Sequence, residues 1–354
     1  MRFDKSLELY ERALKVTPEA TQTISKGNWP IPLFLQYGWD SWVRDVDGNH
    51  FLDYSMSLGS VILGHGRIGT TGNTGLSAPT RLEVELAEKI CEIYPGAEMV
   101  RFFKNGSDAT EAAVRLARAY TGRREIIFNG YHGFHDWYIW NRYAEGVKED
   151  EECLRDGNYP SYFTAAFIID PTSPTILELE QNLSNCQANG ALFIFDEVIS
   201  GFRYSLGGAA QHYGITPDLV CLGKAMGNGY PISAVAGRRD IMMLAKDCFL
   251  SSTFGGDTIG LSAALSTIKE LEKKDYNQLW DYGAELVSKI NWISWTGSEC
   301  RPVFEPPKGF VLECMKRSIL APGFHNISFA HTKEDLTKTI EVYKEAWDAC
   351  KDHS

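Results

Sequence analysis

From about residue 80 the apolar positions alternate between two periods. Residues 82–94 and 108–120 repeat at helical spacing, and the second stretch opens on Asp108-x-x-Glu111, which reads as a capping box. Around them lie short apolar runs bounded by turn residues, at 98–103, 124–128, 163–169, 191–195 and 219–222. Short apolar strands alternating with helices predict a mostly parallel sheet covered on both faces. The flanks read differently. Residues 1–15 form an amphipathic helix with Leu7, Tyr10 and Leu14 on one face, followed by a polar, proline-containing stretch to residue 32. Three short strands then run through 32–36, 41–45 and 50–54, turning at Gly38 and at Asp47-Gly48-Asn49. Past residue 256 the pattern predicts helices at 260–273 and 276–293, strand-like pieces at 309–315 and 326–330, and a last helix from Thr332. The expected organisation is an α/β fold: an N-terminal segment over 1–45, a large sheet domain over 46–255 and a small α+β domain over 256–354.

Composition narrows the function classes. With 354 residues, 44% hydrophobic and 23% charged, the chain can bury a core without staples, which excludes global disorder and fibrous repeats. A net charge of −11 argues against nucleic-acid binding, which needs concentrated positive charge. None of the eight cysteines lies in a Cys-x-x-Cys pair, so free thiols are expected instead of disulfides or a zinc site. The first fifteen residues lack the apolar core of a signal peptide, and no stretch approaches the roughly twenty apolar residues of a membrane span. A cytoplasmic, membrane-free enzyme is the expectation.

Four segments carry chemistry. The apolar run at 193–195 ends in Asp196, either a cap for the next loop or a carboxylate aimed at a ligand; Val198 shares its strand face. The run at 219–222 ends in Gly223-Lys224, on a corner closed by Asn228-Gly229 and Tyr230-Pro231. A lysine there is either a snorkelling charge or an amine tuned for carbonyl chemistry. Asn105-Gly106-Ser107-Asp108 leads from a strand into a helix, giving an ordinary N-cap or an anion site. Tyr131-His132-Gly133-Phe134-His135-Asp136 offers Tyr131 for stacking on a flat cofactor, or His132, His135 and Asp136 as ligands of a hydrolytic metal.

Taken together in this order, the segments resemble the class III aminotransferases. These are fold-type I enzymes dependent on pyridoxal 5′-phosphate, and the likeness is greatest to the glutamate-1-semialdehyde aminomutase-like branch. The likeness spans nearly the whole chain. It runs through Trp42-Val-Arg-Asp-Val-Asp-Gly-Asn, Ala78-Pro-Thr-Arg-Leu-Glu-Val-Glu-Leu-Ala-Glu and Tyr131-His-Gly. It continues through Phe195-Asp-Glu-Val-Ile-Ser-Gly-Phe-Arg, Gly223-Lys-Ala-Met-Gly-Asn-Gly-Tyr-Pro and Ser252-Thr-Phe-Gly-Gly. The resemblance implies a sheet of the seven-stranded type. It implies that Lys224 forms the internal aldimine, that Asp196 pairs with the pyridine nitrogen, and that Val198 and Tyr131 sandwich the ring. Gly106 and Ser107 would hold the phosphate, His132 would belong to the cofactor pocket, and Thr253 would reach the phosphate of the neighbouring subunit in a homodimer with shared sites. The implied activity moves an amino group from an amino donor to a carbonyl acceptor, or within one molecule as an aminomutase. Decarboxylation and racemisation use the same scaffold.

The chain also departs from the family's pattern. A helix after Gly64-His65-Gly66 is missing, and the stretches 140–163 and 294–308 are short. In the segment that usually carries a carboxylate-binding arginine, Lys26 stands nearest, a point charge without a bidentate fork. Leu58 replaces the aromatic expected after Ser57. These changes argue against glutamate 1-semialdehyde itself. Thr21-Gln-Thr-Ile-Ser-Lys26, together with Lys104-Asn-Gly-Ser-Asp-Ala-Thr110, resembles relatives that aminate sugar-like or other hydroxylated carbonyl compounds, with Lys26, Ser57, His325 and Asn326 as candidate substrate contacts.

Overall fold

The computed structural model describes residues 1–15, 20–21, 29–70, 76–138, 154–157 and 160–351. Two compact units emerge, Met1–Arg67 with Asn277–Ser354, and Ile68–Tyr276. The expected limits after residues 45 and 255 both fall inside these units.

The first unit opens with helix α1 (Asp4–Ala13) and strands β1 (Leu35–Trp39), β2 (Trp42–Asp45) and β3 (His50–Asp53). The β2–β3 hairpin turns where Asp45 accepts the Asn49 N–H at 2.7 Å and Gly48 takes φ +92°. The residue before Gly48 in that turn anchors α1. Asp47 accepts the N–H groups of Lys5 and Ser6, at 2.7 and 2.9 Å, and the Ser6 hydroxyl at 2.7 Å. The helix is therefore held by its N-terminus, while Leu7 and Leu14 of the predicted apolar face stay about half exposed.

The second unit follows the predicted alternation. Helix α2 (Arg81–Ile93) precedes β4 (Met99–Phe103), α3 (Gly106–Thr121), β5 (Glu125–Asn129), β6 (Leu154–Asp156) and β7 (Thr164–Ile169). Then come α4 (Ile176–Asn189), β8 (Leu192–Glu197), α5 (Gly208–Tyr213), β9 (Leu219–Leu222), β10 (Ser233–Gly237) and α6 (Thr258–Leu271). Seven strands form one sheet in the order β4-β10-β9-β8-β7-β5-β6, and β10 alone runs against its neighbours. Helix α3 lies close on this sheet because the residues facing it are small: Ala109, Ala112, Ala113 and Ala117 are all buried. Its capping box sits three residues earlier than predicted, on Asn105 and Asp108, with the Asn105 N–H donating to Asp108 at 2.9 Å.

The chain returns to the first unit as α7 (Asn277–Lys289), β11 (Trp295–Ser298), β12 (Arg301–Phe304), α8 (Phe310–Lys316), β13 (Ile319–Leu320) and α9 (Lys333–Lys351). Two expectations are corrected here. The strand-like run 309–315 is helix α8, which starts after Gly309 in the left-handed region and buries Phe310, Cys314 and Met315 on one face. A short apolar run does not by itself distinguish a strand from a buried helical turn. Residues 326–330 belong to no strand, and the last two form a turn; the Asn326 N–H donates to the Tyr54 carbonyl and the Phe329 N–H to the Ile62 carbonyl. Among the described residues no helix is long and apolar enough to cross a membrane, and no disulfide joins the cysteines.

Candidate functional site

The site grows from the carboxyl ends of β7, β8 and β9. Strand β8 is buried along its whole length, so its last residues deliver charge into a dry environment. Asp196 is 6% exposed. Its Oδ1 accepts the Val198 N–H at 3.1 Å, and its Oδ2 lies 2.8 Å from His132 Nδ1. Glu197 points away, into the unit. Its carboxylate accepts the Ala209 and Ala210 N–H groups at the start of α5 and the Ser200 hydroxyl. Burial pushes its carboxyl up to about 7 against those bonds.

Val198 joins three parts of the site. A methyl group placed on Gly106 would lie 2.7 Å from Val198 Cγ1, and one on Gly223 would lie 3.5 Å from it. The start of α3, the end of β8 and the residue before Lys224 therefore meet around one side chain. Lys224 itself takes φ +39°, in a short 3-10 turn over Lys224–Gly227 that follows the end of β9. A lysine in the left-handed region is uncommon, and such strain concentrates where surroundings over-determine a conformation.

The start of α3 is bound to the loop carrying Tyr131 and His132. Thr110 Oγ1 donates to the His132 carbonyl at 2.8 Å, and Ser107 Oγ accepts the Phe134 N–H at 3.3 Å. Gly133, at φ +103°, allows this approach, since a Cβ there would fall 2.4 Å from Ser107 Oγ. Asp108 occupies the N–H groups of Lys104 and Asn105. Glycine and serine follow at the helix start, where amide donors favour an anion. His132 is buried, whereas Tyr131 is 63% exposed and presents its ring to solvent. Thr253 is exposed on its glycine-rich segment.

The metal reading does not survive this geometry. His132 is turned onto Asp196, His135 Nδ1 onto Glu111 at 2.5 Å, and Asp136 is exposed. Among the described residues no group of three or more ligating side chains converges on a metal position. The substrate candidates divide. Lys26 lies outside the described residues. Ser57 is exposed in a run, Met56–Gly59, that holds Met56, Ser57 and Leu58 all at positive φ. His325 and Asn326 are buried in the first unit: His325 Nε2 meets the Tyr343 hydroxyl, and Asn326 Nδ2 donates to Ser55 at 2.9 Å.

Two contributors escaped the sequence reading. Asp170 directly follows β7 as Asp196 closes β8, and the same strand-end signal could have found it. Burial, and then the charge of Asp196, hold its carboxyl above the ordinary carboxylate range. Lys104 bonds Asp257 at 2.9 Å and the Pro231 carbonyl at 3.2 Å, linking the start of α3 to the turn after Lys224 and to the glycine-rich segment of Thr253. No local pattern marks that long-range pair.

These residues fit pyridoxal phosphate. A buried strand-end carboxylate suits a protonated ring nitrogen, Val198 offers a flat apolar wall, and the open N-terminus of α3 suits a phosphate. Comparison with known proteins agrees. The family described as aminotransferase class III matches residues 23–138 and 171–294. The 3-aminobutyryl-CoA aminotransferase of Cloacimonas acidaminovorans is 31% identical, over 98% of this chain and 97% of its own length. The glutamate-1-semialdehyde 2,1-aminomutase of Archaeoglobus fulgidus is 32% identical, over 98% and 100% respectively. These alignments run over 411 and 421 positions against 354 residues here, so both relatives carry segments that this chain lacks. Among solved structures, the PLP internal aldimine form of Sphingopyxis sp. MTA144 FumI protein superposes with a TM-score of 0.88 at 26% identity, over 98% of this chain and 96% of that one. An omega-transaminase from Sphaerobacter thermophilus shares the fold, with a TM-score of 0.86 at 23% identity, over 98% of each chain.

Proposed function

The chain belongs to the class III aminotransferases, pyridoxal-phosphate-dependent enzymes of fold type I that transfer amino groups, and from that membership we propose a division of labour among its residues. Lys224 is the amine that carries the cofactor at rest, and its Nζ moves the proton at the reacting carbon as general base and acid. Asp196 holds a proton on the ring nitrogen. Val198 and Tyr131 cover the two ring faces. Gly106 and Ser107 bind the phosphate at the start of α3. Pyridoxal phosphate, when bound, supplies the electron sink and carries the amino group between donor and acceptor.

The observation that supports this reading best is the meeting of the α3 start, the Asp196 strand end and the Lys224 corner around Val198. Borohydride reduction of the loaded protein followed by peptide mapping tests it. A pyridoxyl group on Lys224 is expected; labelling of another lysine, or of none, overturns it.

The donor is an amino compound and the acceptor a carbonyl compound; Lys26 and Leu58 in place of the usual arginine and aromatic disfavour glutamate 1-semialdehyde, and the wording of residues 21–26 and 104–110 favours sugar-like or other hydroxylated carbonyls. A mutase reading is supported by relatives named glutamate-1-semialdehyde 2,1-aminomutase. Incubation with single amino compounds separates the two. A transaminase releases a carbonyl product from the donor and is left in the amine form, whereas a mutase returns an isomer of the compound added. We further place Thr253 against the phosphate of a partner subunit in a cytoplasmic homodimer. Sedimentation with and without pyridoxal phosphate, on the wild type and on Thr253→Ala, tests that arrangement. A cofactor-saturated monomer, or unchanged cofactor affinity in the variant, rejects it.

A further inference from the structure

We propose that Lys104 and Asp257 are positioning residues. Their ion pair, together with the grip of Arg101 on Leu250, preorganises the segment between Leu250 and Asp257, so that Thr253 is in place before cofactor arrives. The inference rests on the reading of Thr253 as a contact to the phosphate in the partner subunit.

Two cations from one strand carry it. Arg101 lies in β4, and its Nε and Nη2 donate to the Leu250 carbonyl at 3.0 and 2.6 Å. Lys104 follows the end of β4, and its Nζ donates to Asp257 Oδ2 at 2.9 Å and to the Pro231 carbonyl at 3.2 Å. Residues 251–256, between the two grips, include Thr253 and the 63% exposed Phe254. Among the described residues, the segment's other hydrogen bonds close its own turns, from the Gly255 N–H to the Ser252 carbonyl and from the Asp257 N–H to the Phe254 carbonyl. Glycines let this backbone lie close against its support. A Cβ on Gly255 would fall 2.6 Å from the Phe102 carbonyl oxygen, and one on Gly256 would fall 2.9 Å from Glu83 Oε1.

The lysine grip is built into the fold. Asp257 is the N-cap of α6, and its Oδ2 accepts the Gly260 N–H at 2.9 Å as well as the ammonium. Burial works to raise its carboxyl, but that N–H and Lys104 outweigh burial and hold the group below the ordinary carboxylate range. Gly260 makes room for the lysine, since a Cβ there would fall 2.8 Å from Lys104 Nζ and 2.9 Å from the Pro231 oxygen. Glycine weakens a helix interior, and here the approach of an ammonium accounts for it. The two side chains are 17% and 20% exposed, so solvent screens the pair only in part. One ammonium thus joins the start of α3, the turn after Lys224 and the end of the Thr253 segment. A segment ordered in advance removes its own ordering cost from cofactor binding.

The test is the rate at which loaded protein gives up pyridoxal phosphate on dilution, followed by the cofactor's absorbance. Lys104→Met removes the charge, and Asp257→Asn removes it from the other side while keeping an oxygen to cap α6. Each should speed release about tenfold, the range that loss of one charge-assisted hydrogen bond sets. Thr253→Ala should also speed release. In Lys104→Met combined with Thr253→Ala, release should stay within about threefold of Thr253→Ala alone, because a loosened segment without Thr253 has no contact left to misplace. Lys89→Met breaks the tie of Lys89 Nζ to Glu272, 3.0 Å apart at the far end of α6, and should leave release unchanged. Multiplied single effects in the combined variant overturn the proposal, as does equal acceleration in Lys89→Met, which would mark a general loosening of α6. Faster release in Thr253→Ala with wild-type release in Lys104→Met or Asp257→Asn overturns this proposal alone. Wild-type release in Thr253→Ala overturns the shared-phosphate reading together with it. Failure of the cofactor assignment is a separate outcome, seen as absent borohydride labelling at Lys224.

Discussion

Each unit of the protein buries histidine, and the rings are held in different ways. In the first unit the ring nitrogens of His331 meet Ser328 and a backbone carbonyl. Its Nδ1 accepts the Ser328 N–H at 3.0 Å and lies 3.0 Å from the Ser328 hydroxyl, and its Nε2 donates to the Asp53 carbonyl at 3.2 Å, with Tyr54 stacked on the ring. Next to it in sequence and fold, His325 packs against Phe304 and Tyr54, and burial holds its imidazole down at about 3. In the second unit His132 is equally buried but meets a carbonyl and a carboxylate. Burial alone therefore does not decide what a histidine does. One set of neighbours makes a packing piece with polar edges; the other sets the ring against the carboxylate of the candidate site.

The contrast is sharpened first where the chemistry is placed. Lys224→Ala should fold, since the side chain is not core, and should lose amino transfer by about three orders of magnitude or more in a half-reaction assay. Asp196→Asn should bind cofactor yet lower kcat about a hundredfold or more, because the neutral amide no longer holds the ring proton; near-normal kcat would leave Asp196 as a loop cap only. Gly106→Ala brings a methyl group 2.7 Å from Val198 Cγ1. It should weaken pyridoxal phosphate binding about tenfold in an absorbance titration while the fold persists.

The smallest effect is a pair of opposed slopes in stability against pH. For His325 the folded value of about 3 lies below the ordinary 6.5. Its contribution is complete above 6.5 and is lost as pH falls toward 3, by at most about 1.4 kcal/mol per pH unit. For Glu197 the folded value of about 7 lies above the ordinary 4.5, so stability is complete below 4.5 and is lost as pH rises toward 7. Urea midpoints measured across pH 3 to 8 should lose the first slope in His325→Asn and the second in Glu197→Gln. An unchanged profile in either variant would show that the group titrates alike in the folded and unfolded chain.

Much of the second unit was legible because its strands are short, apolar and closed by turn residues, so Asp196 and Lys224 stood out as charges at the ends of buried runs. Strand β10 was not legible. It lies between β4 and β9 in the sheet but follows Lys224 through a tight turn, and its Ser-Ala-Val-Ala-Gly composition carries little pattern. Helix α4 was missed although Thr175 and Glu178 form a capping box at its start, with the Thr175 N–H donating to Glu178 at 2.7 Å. In the first unit α8 was mistaken for a strand, since seven residues are too few for one period to exclude the other.

The alternation of strands and helices over much of the second unit, the family, and the residue types at the reacting positions were legible in the sequence alone, because each is written locally as periodicity, turn chemistry or a contiguous motif. Which neighbours those residues acquire was decided only by the tertiary structure. Asn129, His132, Asp170 and Asp196 come from separate strand ends and a loop, and local sequence holds no record of the 2.8 Å approach between His132 and Asp196. The same three-letter symbol therefore denotes a packing piece of the first unit at position 331 and a neighbour of the site carboxylate at position 132.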